Sequence, residues 1–515
     1  MYRLYIFLVN TFLLLGATTS TPCVVRKYGS DSSVCVCNST YCDTLNKTFP
    51  GKGKLLVLTS SMSGNRFHQQ FYDLEYLHEN FKKDSSVNII INTTKFYQAI
   101  KGFGGALTDS ASINIMSLST KSRDNLLKSY FGKGSIEYNL IRIPMAGCDY
   151  STREYTYLDK PNDFNLSTFA LAMEDIKFKI PLLKQIFSMT MKNISLYASP
   201  WTAPAWMKTS GDEIGIGGLQ GKAGDKYHKT WAEYFTRFFD EYKKEGINFW
   251  GVTMQNEPSN GLVIAAKWQA MGWTPEQQKD FVKTDLGPML EKKGYGNIKL
   301  MIHDDQRVFL PAWPKEVLSD PSAAKYVSGI GVHWYWDWLI GPEKLNITHN
   351  LFPDKFILAT EACVKHPPTE SIGNWEMGEK YSNDILDNLN NWAVGWVDWN
   401  MCLDMQGGPN WVKNFDNSPI IVNATADEFY KQPMFYHLGH FSKYINENSV
   451  RVHSQSDQQL KIKYTAVFRK DGYTVMVVLN KEDTDVSFTV SVHGSSKNVN
   501  FNAVVPKRSI QTYIW

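Results

Sequence analysis

Two apolar runs in this chain end in carboxyl groups. Phe249-Trp250-Gly251-Val252 leads into Thr253-Met254-Gln255-Asn256-Glu257-Pro258, and Ile357-Leu358-Ala359 leads into Thr360-Glu361. A carboxyl at the end of each of two hydrophobic strands is what hydrolysis of a glycosidic bond requires: one protonates the leaving oxygen, and the other attacks or activates water. The residue types and their placement therefore predict a glycosidase.

Other clusters invite different chemistry and fit it less well. His303-Asp304-Asp305 has metal-ligand character, but successive side chains of a strand face opposite ways, so His303 and Asp304 are expected to diverge, and no metal site is assigned. Cys363, two residues after Glu361, reads as a thiol packed beside the site rather than a nucleophile. Gly102-Phe103-Gly104-Gly105 lacks the third glycine of the dinucleotide fingerprint, because position 107 is Leu, and reads instead as a close backbone approach.

The carboxyls must be carried by a scaffold. From about Lys101 apolar strands alternate with longer helical patterns, and eight candidate strands fall at 102–108, 139–144, 195–201, 249–257, 298–305, 329–336, 356–361 and 394–400. Eight such units predict a closed (β/α)8 barrel, whose chemistry lies at the C-terminal strand ends. In the pattern 227–245, Trp231, Tyr234, Phe235, Phe238 and Tyr242 recur at helix spacing and are expected to be core.

On either side the texture is β. Lys54–Leu58 and Val87–Ile91 are too few strands for a stable sheet, whereas alternation returns after Val450 in Ala466–Phe468, Tyr473–Leu479 and Val486–Val490. The economical arrangement joins the early strands to the tail as a β-sandwich, with the barrel inserted between them.

The whole chain bounds the function. With 54 basic and 51 acidic residues, a formal net charge of +3 leaves no electrostatic footprint for nucleic acid. Residues 1–20 read as a signal peptide: Arg3, an apolar run from Leu4 to Leu15, then small residues. No later stretch is long and apolar enough for a transmembrane span. Sequons at Asn38, Asn46, Asn92, Asn165, Asn193, Asn346 and Asn423 agree with the secretory route. Cys23, Cys35, Cys37 and Cys42 read as a two-disulfide staple with three connectivities open, a zinc knot being the rival reading, and the scattered Cys148, Cys363 and Cys402 leave at least one free thiol.

The segments 102-GFGGALTDSA-111, 144-PMAGCDYSTREYTY-157, 199-SPWTAPAWMKT-209, 253-TMQNEPSNG-261, 331-GVHWYWDW-338, 360-TEACV-364, 398-DWN-400, 407-GGPNWVKNF-415 and 431-KQPMFYHLGHFSKY-444 closely resemble the glucosylceramidases of glycoside hydrolase family thirty. The resemblance covers essentially the whole mature chain. It implies a (β/α)8 barrel (98–400 with 433–448), a β-sandwich (49–97 with 449–515) and a small disulfide-stapled antiparallel sheet (21–48 with 401–432). It further implies a lysosomal, retaining β-glucosidase that cleaves glucosylceramide to glucose and ceramide without a cofactor. Anionic phospholipid or a saposin-like protein would activate it, and a sorting receptor would deliver it.

In that family's pattern Glu257 is the acid/base, Glu361 the nucleophile and Asn256 the contact near the sugar 2-hydroxyl. Asp149, Trp201, Trp399 and Asn414 hold glucose, His333 and Tyr335 stand beside the nucleophile, and Arg142 supports it. Mutual repulsion is expected to keep Glu257 protonated while Glu361 is ionised. The loop 262–268 departs from the pattern, with Ala266 where a tyrosine is expected. Trp268 there could anchor the loop in lipid or pack on a neighbouring loop, and the same holds for Trp338-Leu339-Ile340. Two alternatives remain open: a retaining enzyme for another β-glucoside, steryl glucoside or xyloside, and a glycosidase-like binding protein without turnover.

Overall fold

The computed structural model describes residues 21–45, 47–79, 81, 87–190, 192–263, 266–494 and 499–515. The signal peptide read at 1–20 and the sequon at Asn46 lie outside the described residues. At the centre is a closed barrel of eight parallel strands: β1 (Gly102–Ala106), β2 (Leu140–Met145), β3 (Ser195–Pro200), β4 (Gly251–Thr253), β5 (Lys299–Gln306), β6 (Val327–His333), β7 (Phe356–Glu361) and β8 (Ala393–Asp398). The closure is tight enough to demand glycine, since a Cβ on Gly104 would stand 1.8 Å from the Leu140 carbonyl oxygen.

Inside the barrel Leu140, Tyr197, Met301, Leu358 and Val397 pack into one layer over Trp250, Phe356 and Val394. This plug blocks the N-terminal end, and polar side chains one step further along the same strands face the C-terminal end. Helices cover the outside. That at Lys226–Lys244 starts where Asp225 accepts from the backbone N–H groups of Tyr227 and His228, at 2.9 and 3.0 Å. Its Trp231, Tyr234, Phe235, Phe238 and Tyr242 are all buried in the core.

The observed β4 is much shorter than the sequence suggests. After Thr253 the chain leaves the barrel sheet, and Glu257 takes the left-handed conformation (φ 40°). Backbone bonds from Asn256 to the Pro200 carbonyl and from Glu257 to the Asp304 carbonyl, both 2.9 Å, pin this departing segment between its neighbours. The Gln255 amide secures it further, donating to the carbonyls of Pro200 (3.1 Å) and Trp201 (2.8 Å).

Two further sheets flank the barrel. In the larger, Val87–Ala99 pairs with Val450–Ser456 and Val486–His493, and Lys54–Ser61 pairs with Ser509–Ile514. The sheet folds over a single apolar core that contains Leu55, Ile91, Val478, Phe488, Phe501 and Tyr513. In the smaller sheet Val34–Cys37 lies against Glu428–Lys431, with disulfides Cys23–Cys35 and Cys37–Cys42. Its outer pair, Cys402–Asp404 with Ile420–Asn423, is parallel, so the sheet is mixed rather than wholly antiparallel. The intervening segment 405–419 is long enough for the crossover that a parallel pair needs. Cys148, Cys363 and Cys402 are free thiols, all buried. Among the described residues no helix is long and apolar enough to cross a membrane, and none of the described sequon asparagines is buried.

Candidate active site

At the C-terminal end of the barrel a cavity of about 140 Å³ opens among Asp149, Trp201, Asn256, Glu257, Tyr335, Glu361, Trp399 and Asn414. Eight residues singled out from the sequence thus share one pocket. The other two, Arg142 and His333, lie behind it and bond to the carboxyls. Residues the sequence reading had not assigned to the site complete the wall: Asn260, Gln306, Trp336, Lys365 and Asp416. Trp268 also lines it, turned inward against the Trp201–Trp399 cluster rather than outward as a lipid anchor.

The first carboxyl, Glu361, ends β7 and is held through both oxygens. The Tyr335 hydroxyl donates to Oε1 at 2.7 Å and the Arg142 guanidinium donates to Oε2. Arg142 projects from β2 and also donates to Asn256 Oδ1 (2.8 Å), Asp304 Oδ2 (3.0 Å) and Ser199 Oγ (3.1 Å). Because the Asn256 oxygen is occupied in this way, its amide N–H groups are left to donate into the pocket.

Glu257 is surrounded by donors. Oε1 accepts from the Gln306 amide at 2.7 Å and faces His333 Nδ1 at 3.1 Å, and Oε2 accepts from the Asn260 amide at 2.5 Å. The other imidazole nitrogen of His333 meets Asp304 Oδ1 at 3.1 Å, so both ring nitrogens face carboxylates and both carry protons. Burial opposes that charge, yet Glu361 and Asp304 outweigh it and push His333 up to about 10. An oxygen of Glu257 comes within 4.8 Å of an oxygen of Glu361, with the His333 nitrogen within the same distance of both.

This geometry reverses one electrostatic expectation. Burial raises Glu257, but the His333 hydrogen bond and charge, with Lys365 and Arg142 behind them, bring it below the ordinary carboxylate range. The imidazolium therefore counts for more than repulsion between the two glutamates. Asp149 shows the opposite balance: burial first, then Glu361 and Asp416, lift it to about 8, so it is protonated at neutral pH and able to donate.

The aromatic wall is built around the same guanidinium. Trp201 and Trp399 stack with centroids 5.0 Å apart and planes 17° from parallel, and Arg142 lies 5.0 and 5.3 Å from their rings. Asp304 is central and fully buried. It accepts from Arg142, from Thr360 Oγ1 (2.6 Å) and from His333, and it is held well below the ordinary range mainly by the Arg142 and His333 charges, which overcome burial. His303, its neighbour, points out of the barrel to Phe309 and Trp313. Cys363 is buried, with Sγ 3.3 Å from Asp416 Oδ2, and burial pushes its thiol well above the ordinary value, which leaves it protonated and unreactive.

Comparison with known proteins agrees with this geometry. Residues 100–445 match the glycosyl hydrolase family 30 TIM-barrel domain and 448–513 the beta sandwich domain of that family. The chain is 47% identical over 501 residues to the lysosomal acid glucosylceramidase of Mus musculus, covering 96% of this chain and 95% of that protein. It is 41% identical over 524 residues to putative glucosylceramidase 3 of Caenorhabditis elegans, covering 100% of this chain and 99% of that one. Among solved structures, SrfJ of Salmonella typhimurium superposes with a TM-score of 0.82 at 26% identity, covering 90% of this chain and 99% of SrfJ. An endo-β1,6-glucanase superposes with a TM-score of 0.78, also at 26% identity and with the same two coverages. One carboxyl just beyond β4 and one at the end of β7, and family domains that together span the barrel and the sandwich, lead to one assignment: the chain belongs to glycosyl hydrolase family 30.

Proposed function

We propose that this enzyme hydrolyses glucosylceramide to glucose and ceramide with retention at the anomeric carbon. The observation that carries this reading is the closeness of the Glu257 and Glu361 oxygens, within 4.8 Å. Carboxyls about 5 Å apart leave no room for an attacking water between them, so one must act as nucleophile. Glu361, its oxygens oriented by Tyr335 and Arg142, attacks the anomeric carbon. Glu257 gives its proton to the glycosidic oxygen, and ceramide leaves as the alcohol. Glu257, now a carboxylate, takes a proton from water as that water attacks the same carbon, and Glu361 is released.

The charge around Glu257 sets the pH range. Arg142 and His333 supply two positive charges against the carboxylates of Asp304, Glu361 and Glu257, so one proton neutralises the cluster. Because Glu257 lies below the ordinary range, its acid form is populated only in acid, which fits a lysosomal enzyme. Asn256, protonated Asp149 and Asn414 are placed to bind glucose hydroxyls, and Trp201 and Trp399 to face the ring. Lysosomal residence belongs to the same reading, supported by the similarity to the murine lysosomal protein, and a sorting receptor and activation by anionic phospholipid or a saposin-like protein are proposed with it.

The test is hydrolysis of a fluorogenic β-glucoside by wild type and Glu361→Gln, with the first product anomer followed by NMR. β-Glucose first, and activity lost in the variant, are expected. α-Glucose first, or equal activity in both proteins, would refute the mechanism.

A further inference from the structure

Beside the sugar pocket lies a second, larger cavity of about 790 Å³, and the two share Tyr335, Trp336 and Lys365. Its lining combines three tryptophans, Trp334, Trp336 and Trp338, with many charged side chains. Each carboxylate there has a cation. Asp337 and Asp384 share Arg307 (2.5 and 3.4 Å), Glu376 meets Lys380 (3.3 Å), Glu379 meets Arg508 (2.8 Å) and Asp387 meets Lys463 (2.7 Å).

Lys365 is different. It is exposed, and among the described residues its ammonium makes neither hydrogen bond nor ion pair. Its Nζ stands 4.8 Å from the centroid of the Tyr335 ring, whose hydroxyl holds Glu361. Lys481, elsewhere on the same wall, is also unpaired among the described residues. Burial and the Asp384 charge push Asp337 up to about 10, so it is protonated and the other four carboxylates are matched by four cations; what remains is positive, and the part nearest the reacting carboxyls is Lys365.

From this we infer that Lys365 forms an aglycone-side subsite for an anionic group, so that, beyond glucosylceramide, this enzyme accepts other β-glucosides and of two otherwise similar aglycones favours the one that carries a carboxylate, sulfate or phosphate. The inference rests on the β-glucosidase reading above. The anion must lie on the cavity side of Lys365, because Glu257, Glu361 and Asp416 crowd the sugar side and would repel it. Burial lowers the proton affinity of Lys365, but its acidic surroundings, Asp416 and Glu257 among them, outweigh burial and keep the ammonium charged. On the cavity side the aromatic faces receive the apolar part of the aglycone while the ammonium holds its charge.

The test uses two coumarin β-glucosides, one neutral (4-methylumbelliferyl) and one bearing a 3-carboxylate, with the whole chain and its Lys365→Met, Lys365→Glu and Lys365→Arg variants. The quantity read is the ratio of kcat/KM for the anionic to the neutral substrate, which separates charge recognition from general loss of activity. A half-exposed charged contact is worth roughly three- to twentyfold in that ratio. The ratio should fall by this much in Lys365→Met, fall further in Lys365→Glu and recover in Lys365→Arg. In wild type it should also decline as salt is added. A ratio that is the same in wild type, Lys365→Met and Lys365→Glu overturns the subsite alone, whereas a wild type that cleaves neither glucoside overturns the β-glucosidase reading and the subsite with it.

Discussion

Asp304→Asn isolates the electrostatic core of the site, because it keeps the shape of the side chain and removes its charge. In the native protein Asp304 accepts from Arg142 at 3.0 Å, from His333 at 3.1 Å and from Thr360 at 2.6 Å. An asparagine has a single carbonyl oxygen and must turn an N–H toward one of these donors, which leaves two buried cations short of an anion. Breaking a buried pair in this way costs roughly 3–5 kcal/mol.

The pH dependence makes the argument specific to His333. Its folded-state pKa, about 10, lies above the ordinary 6.5. The stability it contributes is therefore fully present below pH 6.5 and is lost as the pH rises through 10. A difference of that size corresponds to about 5 kcal/mol at most. Asp304→Asn removes most of what holds the imidazolium, so the stability gap between wild type and variant should be widest near pH 6 and should narrow toward pH 10. Asp149, raised to about 8, titrates in the same window but is present in both proteins, so the difference between them is the quantity to read. Equilibrium denaturation in urea at pH 6, 8 and 10 measures it. A gap that stays constant across this range would refute the assignment of His333 as a buried cation.

Two other substitutions probe the carboxyls separately. Tyr335→Phe removes the 2.7 Å hydrogen bond to Glu361 Oε1, and a hydrogen bond to a charged group is worth about 1.5–3 kcal/mol, so kcat/KM should fall roughly ten- to hundredfold; an unchanged value would mean that the bond is not made when the sugar is bound. His333→Gln removes the charge that does most to lower Glu257, so the alkaline limb of the kcat/KM profile should move to higher pH; a limb that stays in place would separate it from Glu257.

How much of this was legible in the sequence depended on whether the information was local. Glu257 and Glu361 end apolar runs, eight such runs can be counted, and the aromatic face of Lys226–Lys244 follows helix periodicity. Asp304 was harder. In β5 the left-handed residues His303 (φ 72°) and Asp304 (φ 53°) coincide with a register shift, so side-chain alternation does not tell which residue turns inward. A signal was nevertheless present: the run His303-Asp304-Asp305-Gln306 places four polar residues in succession on a strand that the barrel must bury. The partner of that irregularity is Gly331, where a Cβ would stand 2.9 Å from Asp304 Oδ1. Lys365 and Asp416 offered no such signal, because they sit on loops whose course follows no period and reach the pocket only through the packing of β6, β7 and the segment after β8.

The state of Glu257 shows what chemistry at a strand end owes to residues elsewhere in the chain. Sequence identifies the pair of carboxyls, and repulsion between them predicts that the acid holds its proton tightly. Yet Glu257 is bonded by Gln306 from the end of β5, by Asn260 from the turn just after Glu257 itself and by His333 from the end of β6, and every one of these donors favours the ionised form. Proton donation by Glu257 therefore depends on what substrate binding does to those three donors. A sugar that draws Asn260 or Gln306 away, or whose oxygen takes the place of His333, weakens the pull on the carboxylate and raises its proton affinity where the leaving oxygen needs it. The donors on β5 and β6 therefore bear on the working pH as much as the two glutamates do.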